Sequence, residues 1–300
     1  MAEVEEAYVR QYSANVYRMA QQTGSRLRPY VTEVSMKGES MTFPRVHPTA
    51  AIRSTSIYDD SPIVHTPFSV RTLRAYEYVW GDMVDWKQDL NLLIDPTSDV
   101  TAMGAYAMGR VIDDIIIEDG FLGDAYEGKK GETTVTFPDS QKIPITVGGG
   151  SSNTGMNLAK LKEAKSLFGK ADIDLDNPAN KLYMAISQSQ LDDLLDEDKL
   201  TSNEYANVKA LVNGDVDSFM GFKFIRLERL KKTDIGSGDI ARTCVAWTKG
   251  AIKLAMPQEI TGHISERADK NYNWYSHMKM KTGSCRLEDQ MFVHIPCLEK

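Results

Sequence analysis

SDVTAMGAYAMGRVIDDIIIE, residues 98–118, carries the longest unbroken helical pattern in this chain. Its apolar residues recur every three or four positions and would form one continuous face of a helix that follows Asp95-Pro96: Val100, Met103, Gly104, Ala107, Met108, Val111, Ile112, Ile115 and Ile116. Arg110, Asp113 and Asp114 fall on the opposite side, at spacings that allow surface charges to pair. Because catalytic acids usually need burial or like-charge crowding, the pattern predicts a long structural helix with these three charges in solvent.

Residues 30–86, which precede this helix, are rich in Thr, Ser, Val, Ile and aromatic residues and show no helical period. The pattern predicts strands near 31–36, 41–46, 52–57 and 71–80, with a turn at 58–62. Within this region, Gly38–Val70 contains four prolines and has too few alternating apolar residues to build a core of its own. Such a segment is either a disordered insertion or a hairpin that a neighbouring subunit covers, and its regular β-character favours the neighbour.

The sequence after the long helix mixes helical and strand patterns. Helices are predicted at 157–168, 188–196 and 203–212, and strands at 132–137, 143–147, 181–187, 219–228, 241–248, 251–256, 272–282 and 289–295. Ser187 with Gln190, and Thr201 with Glu204, have the spacing of capping boxes, and Gly214 stands where a helix C-cap is expected. The chain as a whole therefore predicts an α+β fold with one long helix and a projecting β-hairpin.

The N-terminal segment, Glu3–Gln22, has a narrow apolar stripe at helical spacing: Val4, Tyr8, Tyr12, Val16 and Met19. An amphipathic helix at this place must dock on an apolar surface. The sequence leaves open whether that surface belongs to the chain's own body or to a partner.

The composition, with 42% hydrophobic and 26% charged residues, is that of an ordinary globular protein. A net charge of −7 and the lack of a dense basic block argue against a protein that grips nucleic acid. No apolar run is long enough to span a membrane, and no secretory signal is visible. Three cysteines without C-x-x-C spacing fit a reducing compartment.

The motifs that would indicate an enzyme or a metal site do not hold up. VGGGSSNTG (147–155) lacks the lysine that a phosphate-binding loop requires, and GSGDIA (236–241) leads into a predicted strand instead of a helix. Asp172, Asp174 and Asp176 alternate as in a calcium loop, but the glycine and glutamate of an EF-hand are missing. The five histidines are scattered and none has metal-ligand spacing: His47, His65, His263, His277 and His294. We therefore predict no catalytic residues, no cofactor and no metal.

Four stretches, taken in their order and spacing, resemble the major capsid proteins of tailed double-stranded DNA bacteriophages, particularly those of short-tailed phages. They are GRVIDDIIIEDGFLGDAYEGKKG (109–131), NLAKLKEAKSLFG (157–169), SQSQLDDLLDEDKLTSNEYANVKALVNGDVDSFMGFKFIRLERL (187–230) and MKMKTGSCRLEDQMFVHIPC (278–297). With the β-hairpin they cover most of the chain from about residue 30 onward.

The resemblance implies a Hong Kong 97-type fold with four parts. Residues 1–37 would be the N-arm and 38–72 the extended loop, a β-hairpin. Residues 73–150 and 250–300 would form the peripheral domain, with the 98–118 helix as its spine. Residues 151–249 would form the axial domain.

The implied function is that of a major capsid protein, which assembles through hexamers and pentamers into the icosahedral shell around double-stranded DNA. The implied partners are neighbouring copies of the chain, a separate scaffolding protein, a portal, and DNA bound without sequence specificity; a decoration protein stays open, and no membrane is involved. The implied location is the virion capsid, assembled in the host cytoplasm. The alternatives are an encapsulin-like shell around protein cargo and, as a different class, a soluble cytoplasmic α/β enzyme.

Candidate contacts between subunits lie in the extended loop and the N-arm: Arg45, Arg53, Ile57, Tyr58, Asp59, Asp60, Ile63, Phe68, Tyr8 and Tyr12. Some members of the family join neighbouring subunits through a lysine of this loop. Gly38–Val70 contains no lysine, so a non-covalent shell is expected. No long propeptide precedes the body, so little or no proteolytic trimming is expected.

Overall fold

A computed structural model describes residues 21–53, 61, 63–84, 96–128, 130–150, 152–171, 173–175, 177, 180–195, 218–236 and 238–299. Several sequence predictions fall outside these ranges. They are the N-terminal helix up to residue 20, residues 54–57 of the strand predicted at 52–57, the helix over 203–212, the capping box at Thr201 and the C-cap at Gly214. Residues 52 and 53, which are described, do not form a strand.

Three α-helices are described: α1 (Pro96–Ile115), α2 (Leu158–Lys170) and α3 (Gln188–Leu195). They agree with the helices predicted at 98–118, 157–168 and 188–196. The N-cap of α2 is Asn157, whose side chain accepts a hydrogen bond from the Lys160 backbone. At the start of α3, the Gln190 side chain accepts hydrogen bonds from the Ser187 backbone N–H and hydroxyl, and the first of these is the Gln190 half of the predicted capping box. In the described parts of the chain, no helix is long and apolar enough to cross a membrane.

The strands, numbered in chain order, are β1 (Thr32–Val34), β2 (Ser40–Val46), β3 (Phe68–Arg74), β4 (Tyr76–Val84), β5 (Ala125–Glu127), β6 (Thr133–Val135), β7 (Leu182–Ile186), β8 (Ser218–Phe219), β9 (Phe222–Arg226), β10 (Lys232–Asp234), β11 (Ile240–Thr248), β12 (Ile252–Arg267), β13 (Asn273–Arg286) and β14 (Phe292–Glu299). They form three sheets. One has the order β1-β12-β13-β4, and another has the order β2-β3-β5-β6. The third has the order β10-β11-β7-β9-β8, with β14 also paired to β11.

The chain divides into two compact units, and α1, β4, β12 and β13 contribute residues to both. The smaller unit contains, among its described residues, 21–25, 77–84, 96–111 and 258–281. Within it, a β-carbon at Gly104 of α1 would overlap the ring of Trp80. A glycine at this position therefore lets the helix approach β4 closely.

The larger unit holds the six-stranded sheet and an aromatic core. Trp247 of β11 is fully buried, and its ring centroid lies 4.6 Å from that of Phe121 and 6.1 Å from that of Tyr183. Seven of the nine residues of β11 are buried, as expected for a central strand that is covered on both faces. This strand anchors the core.

The long helix predicted at 98–118 differs from the prediction in its last turns. Ile116–Leu122 forms a π-helix directly after α1. The Ser284 hydroxyl donates to the Ile115 carbonyl (2.8 Å), and the His294 ring donates to the Phe121 carbonyl (2.8 Å). Side chains from β13 and β14 thus satisfy carbonyls at both ends of this segment, and π-helical turns need such support.

The prediction that Asp113 lies in solvent was wrong. Asp113 is fully buried, and its carboxylate accepts hydrogen bonds from the backbone N–H groups of Arg26 and Leu27, both at 3.0 Å. Asp114 is paired with Arg229, and the Arg110 guanidinium donates to the Gln21 side chain at 2.6 Å. Chain segments far away in sequence cover this side of the helix, so the charges bind those segments instead of each other.

Three strand predictions also need correction. Residues 143–147 are not a strand, because the backbone N–H of Thr154 donates to the Ile145 carbonyl and its hydroxyl donates to the Ile145 and Val147 carbonyls. The strand predicted at 71–80 is divided at Ala75, whose N–H donates to the Glu39 carbonyl. The strand predicted at 219–228 is divided at Met220-Gly221, which both have positive φ.

Candidate functional site

Residues 38–74, which include the predicted extended loop (38–72), are called the arm, and a regular β-hairpin forms their base. β2 pairs antiparallel with β3 from Ser40↔Arg74 to Val46↔Phe68, and the His47 N–H donates to the Pro67 carbonyl at 3.0 Å. Since directly paired residues share a face of the hairpin, alternate pairs lie on opposite sides. The inner side faces the chain's own body, whereas the outer side is covered by the chain only near the base, where Thr72 is buried, and is exposed at Val46 and Phe68.

The inner side is apolar near the base of the arm. Leu73 is fully buried with Met36, Ala255 and Cys285, and Met41 and Phe43 pack against the same cluster. This cluster fixes the base of the arm by ordinary apolar burial.

Farther out, the inner side becomes charged. The Arg71 guanidinium lies 2.7 Å from the Asp289 carboxylate and 3.4 Å from that of Glu127. Arg45 donates to the Leu287 carbonyl at 2.7 Å, and Arg286 donates to Asp289 at 2.5 Å. Three arginines thus share two carboxylates at the point where the arm leaves the body.

The outer side and the outer part of the arm expose large apolar side chains. Phe68 is 71% exposed and its cross-strand partner Val46 is 63% exposed. Ile52, Ile63 and Val64 are exposed by 62%, 80% and 44%. Several large exposed apolar side chains on one element, two of them a cross-strand pair, are typical of an interaction site on a protein surface.

The residues predicted from the sequence as subunit contacts differ in their exposure. Ile63 and Phe68 are exposed on the arm, and Arg53 is exposed as well. Arg45 turns inward and bonds to its own chain. The other six lie outside the described residues: Ile57, Tyr58, Asp59, Asp60, Tyr8 and Tyr12.

Sequence reasoning missed Val46, Ile52 and Val64 as exposed apolar residues, and Arg71 and Asp289 as members of the charged cluster. The signal for Val46 was present, because it stands at an alternate position of a predicted strand. No comparable signal links Arg71 with Asp289, since the two are 218 positions apart.

Groups with shifted pKa values in the larger unit have structural partners. Burial lowers the pKa of His294 to about 4, and its ring stacks on Phe137 with centroids 3.6 Å apart. Burial also lowers the pKa of Lys160, whose ammonium donates to the Thr154 and Pro296 carbonyls at 2.8 and 2.9 Å. Burial raises the pKa of the Cys285 thiol to about 11. These groups support loops and strands and do not form an acid/base pair.

The described residues contain no group of three or more His, Cys, Asp or Glu side chains that could hold a metal ion. Of the three alternating aspartates, Asp172 and Asp176 lie outside the described residues. Among the described residues of GSGDIA, Gly236, Gly238 and Asp239 lie between β10 and β11, and Ile240-Ala241 begin β11, so the motif leads into a strand as predicted.

Comparison with known proteins identifies the family. The model of the family described as phage capsid protein matches residues 4–299, while no curated protein matches the chain. The capsid of Ralstonia phage GP4 superposes with a TM-score of 0.72 at 10% identity, covering 100% of this chain and 98% of that one. The capsid chain of cyanophage Pam1 gives 0.71 at 15% identity, with 100% and 99% covered, and that of cyanophage P-SCSP1u gives 0.70 at 14% identity, with 96% and 92% covered.

At these identities the structural likeness establishes the fold, which is of the Hong Kong 97 type. The family match establishes the rest, because it extends over nearly the whole chain, and it does not favour the encapsulin alternative or an enzyme. The chain belongs to the phage capsid protein family: it is a major capsid protein of a tailed phage, a structural protein that self-associates into the virion capsid.

Proposed function

We propose that the arm is the principal element by which this capsid protein binds an adjacent copy of itself. The observation that supports this is the exposed cross-strand pair Val46–Phe68, continued by Ile52, Ile63 and Val64. Burying a side chain of this size stabilises a contact by roughly 1.5–3 kcal/mol. The arm of one copy would therefore contribute several kcal/mol by lying on its neighbour.

The same arrangement repeats around a ring. Each copy offers its arm and receives that of another copy, a heterologous contact that closes by rotation into pentamers and hexamers. Each contact can be weak, in the micromolar to millimolar range of about −8 to −4 kcal/mol. Several contacts made at once in a closed icosahedral shell become strong through effective concentration.

The division of the chain into N-arm (1–37), extended loop (38–72), peripheral domain (73–150 and 250–300) and axial domain (151–249) belongs to this proposal. It is supported by the hairpin observed within 38–72 and by the long helix at the predicted place. We further propose a separate scaffolding protein, a portal and double-stranded DNA held without sequence-specific contacts as partners, with assembly in the host cytoplasm. The acidic balance of −7 supports weak contact with DNA, because tight phosphate binding would hinder packing and ejection.

The experiment that tests the arm compares Val46→Ser/Phe68→Ser with a matched control, Ile235→Ser, an apolar residue 40% exposed outside the arm. Both variants should unfold in denaturant with the wild-type free energy to within about 0.5 kcal/mol, because surface positions contribute little. The arm variant should form few or no shells by sedimentation and negative-stain microscopy, while the control assembles normally. Normal shells from the arm variant would refute the proposal.

The bonding within the shell is a separate question with its own test. The arm has no lysine between Gly38 and Val70, so its neighbours should be held without covalent links. Mature particles are expected to run as a single band on a reducing denaturing gel. A ladder of crosslinked species would show the opposite.

A further inference from the structure

We propose that Arg71 and Asp289 form a positioning pair that sets the direction in which the arm leaves the body, and through it the curvature of the shell. This inference rests on the proposed function of the arm. It concerns two residues whose side chains face inward and would not touch a neighbouring copy.

The short β3–β5 ladder at Arg71 and Thr72 joins the arm to the rest of its sheet. Besides this ladder, two successive side-chain contacts hold the arm, and they differ in kind. The first, nearer the base, is the apolar cluster around Leu73 and Met41. Apolar burial is roughly proportional to area and has no preferred direction, so it attaches the arm without fixing its angle closely. The second contact is made of guanidinium–carboxylate hydrogen bonds, whose planar geometry is directional.

The second contact forms a continuous path from the arm to the body. Arg71, on β3, donates to one oxygen of Asp289 at 2.7 Å, and Arg286 donates to the other oxygen at 2.5 Å. Arg286 in turn donates to the Gly123 carbonyl at 2.8 Å, just after the π-helix. The Asp289 carboxylate is therefore held between two guanidiniums, one from the arm and one from the body.

The other strand of the arm is fixed to the same segment. Arg45, on β2, donates to the Leu287 carbonyl at 2.7 Å. One bond from each strand to residues 287 and 289 resists rotation of the hairpin about its own axis. One residue farther out, at Val46, the exposed apolar surface begins.

The cluster is not what stability alone would favour. Arg71 and Arg286 are 1% and 0% exposed. Within the described structure, the Nε and Nη1 atoms of Arg71 and the Nη2 atom of Arg286 have no hydrogen-bond partner. Buried charges with incomplete partners are costly, and apolar residues of similar size often serve stability as well or better. Such a cluster has a physical reason if its hydrogen bonds fix the direction of the arm.

The test uses the full-length chain and two readouts: the free energy of unfolding before assembly, and the distribution of particle diameters by electron microscopy. Arg71→Met removes the directional bonds but keeps an apolar side chain of similar length. Arg45→Met does the same on the other strand, at a more exposed position. Arg74→Met is the matched control, because Arg74 lies on β3 but donates to the Lys130 and Gly131 carbonyls and not to residues 287–289.

We expect the Arg71 and Arg45 variants to assemble into particles of abnormal curvature, such as tubes, open sheets or shells of mixed diameter. The fraction of shells with the wild-type diameter should fall by about tenfold, which corresponds to a loss of about 1.4 kcal/mol in the preference for the wild-type arm direction. The Arg74 variant should give wild-type shells. If Arg71→Met does not fold, Arg71→Lys decides the question, because it keeps the charge but loses the planar fork.

Folded Arg71 and Arg45 variants that form shells of wild-type diameter would overturn the inference. So would folded variants that form no particles at all, because the cluster would then supply adhesion and not direction. Failure of the proposed function looks different: there the Val46→Ser/Phe68→Ser variant would assemble normally.

Discussion

The core strand β11 and the outer end of the arm strands β2 and β3 both carry large apolar side chains but place them in opposite environments. Trp247, Val245 and Cys244 of β11 are fully buried within the chain. Val46 and Phe68, at the outer end of the arm hairpin, are mostly exposed although they pair regularly in a sheet. The difference shows that the chain buries β11 within its own body but leaves these two residues of the arm exposed, and the proposed contact with a neighbouring copy would cover them.

The largest expected effect tests the two environments directly. Trp247→Ala should lower the free energy of unfolding of the unassembled chain by about 3–5 kcal/mol, because it leaves a large cavity in the aromatic core. Phe68→Ala should change it by no more than about 0.5 kcal/mol, because that side chain is exposed. Denaturant titration of both variants measures the two values. Similar losses at the two positions would mean that the arm is covered by its own body.

An intermediate effect concerns pH and the body alone. Burial holds the pKa of His294 at about 4, below its ordinary value of 6.5, so the folded protein binds this proton less readily than the unfolded chain. Above about pH 6.5 the ring is neutral in both states, and the folded state keeps its full stability. As the pH falls from about 6.5 to about 4, the unfolded chain takes up the proton first and the free energy of unfolding decreases. Between pH 7.5 and pH 4.5, protonation of this group should lower the free energy of unfolding by about 2–3 kcal/mol.

The comparison of variants isolates that contribution from other titrating groups. His294→Gln keeps a donor for the Phe121 carbonyl but does not titrate, so its unfolding free energy should depend less on pH than that of the wild type. His263→Gln, at an exposed position, should keep the wild-type pH dependence. An unchanged slope in the His294 variant would show that this ring does not set the acid stability.

The smallest expected effect is at a helix end. Ser187→Ala removes the buried hydroxyl that donates to the Gln190 side chain and should lower the free energy of unfolding by about 1 kcal/mol. The same substitution at Ser40, exposed at the start of β2, should have almost no effect. Thermal or denaturant unfolding of the two variants gives the difference. Equal changes in the free energy of unfolding would show that the Ser187 hydroxyl contributes no more to stability than an exposed serine does.

Local pattern was a sound guide where neighbours in sequence decide the structure. The long helix, the two described helices at 158–170 and 188–195, and the capping box at Ser187 depend on residues within a few positions of one another. The exposed arm was also predictable, because a hairpin with few alternating apolar residues cannot bury itself. The resemblance to capsid proteins, confirmed by the family match, followed from the order of several such segments.

Pattern failed where distant segments decide the environment of a residue. Asp113 stands on the polar side of its helix, yet the backbone of Arg26 and Leu27 folds over it and binds its carboxylate. Residues 143–147 look like a strand, yet Thr154 folds back to bind their carbonyls. A helical wheel or an alternation count contains no information on such partners.

By itself, then, the sequence determined the α+β class, the long helix, the absence of any recognisable catalytic pattern and an arm that lacks its own core. Periodicity and composition fix these, since they act over one or two turns or strands. Only the tertiary structure decided that Asp113 is buried and that Arg71, Asp289 and Arg286 meet at the base of the arm. Those contacts join residues up to 218 positions apart, and they exist only once the sheets have brought β3 and the segment before β14 together.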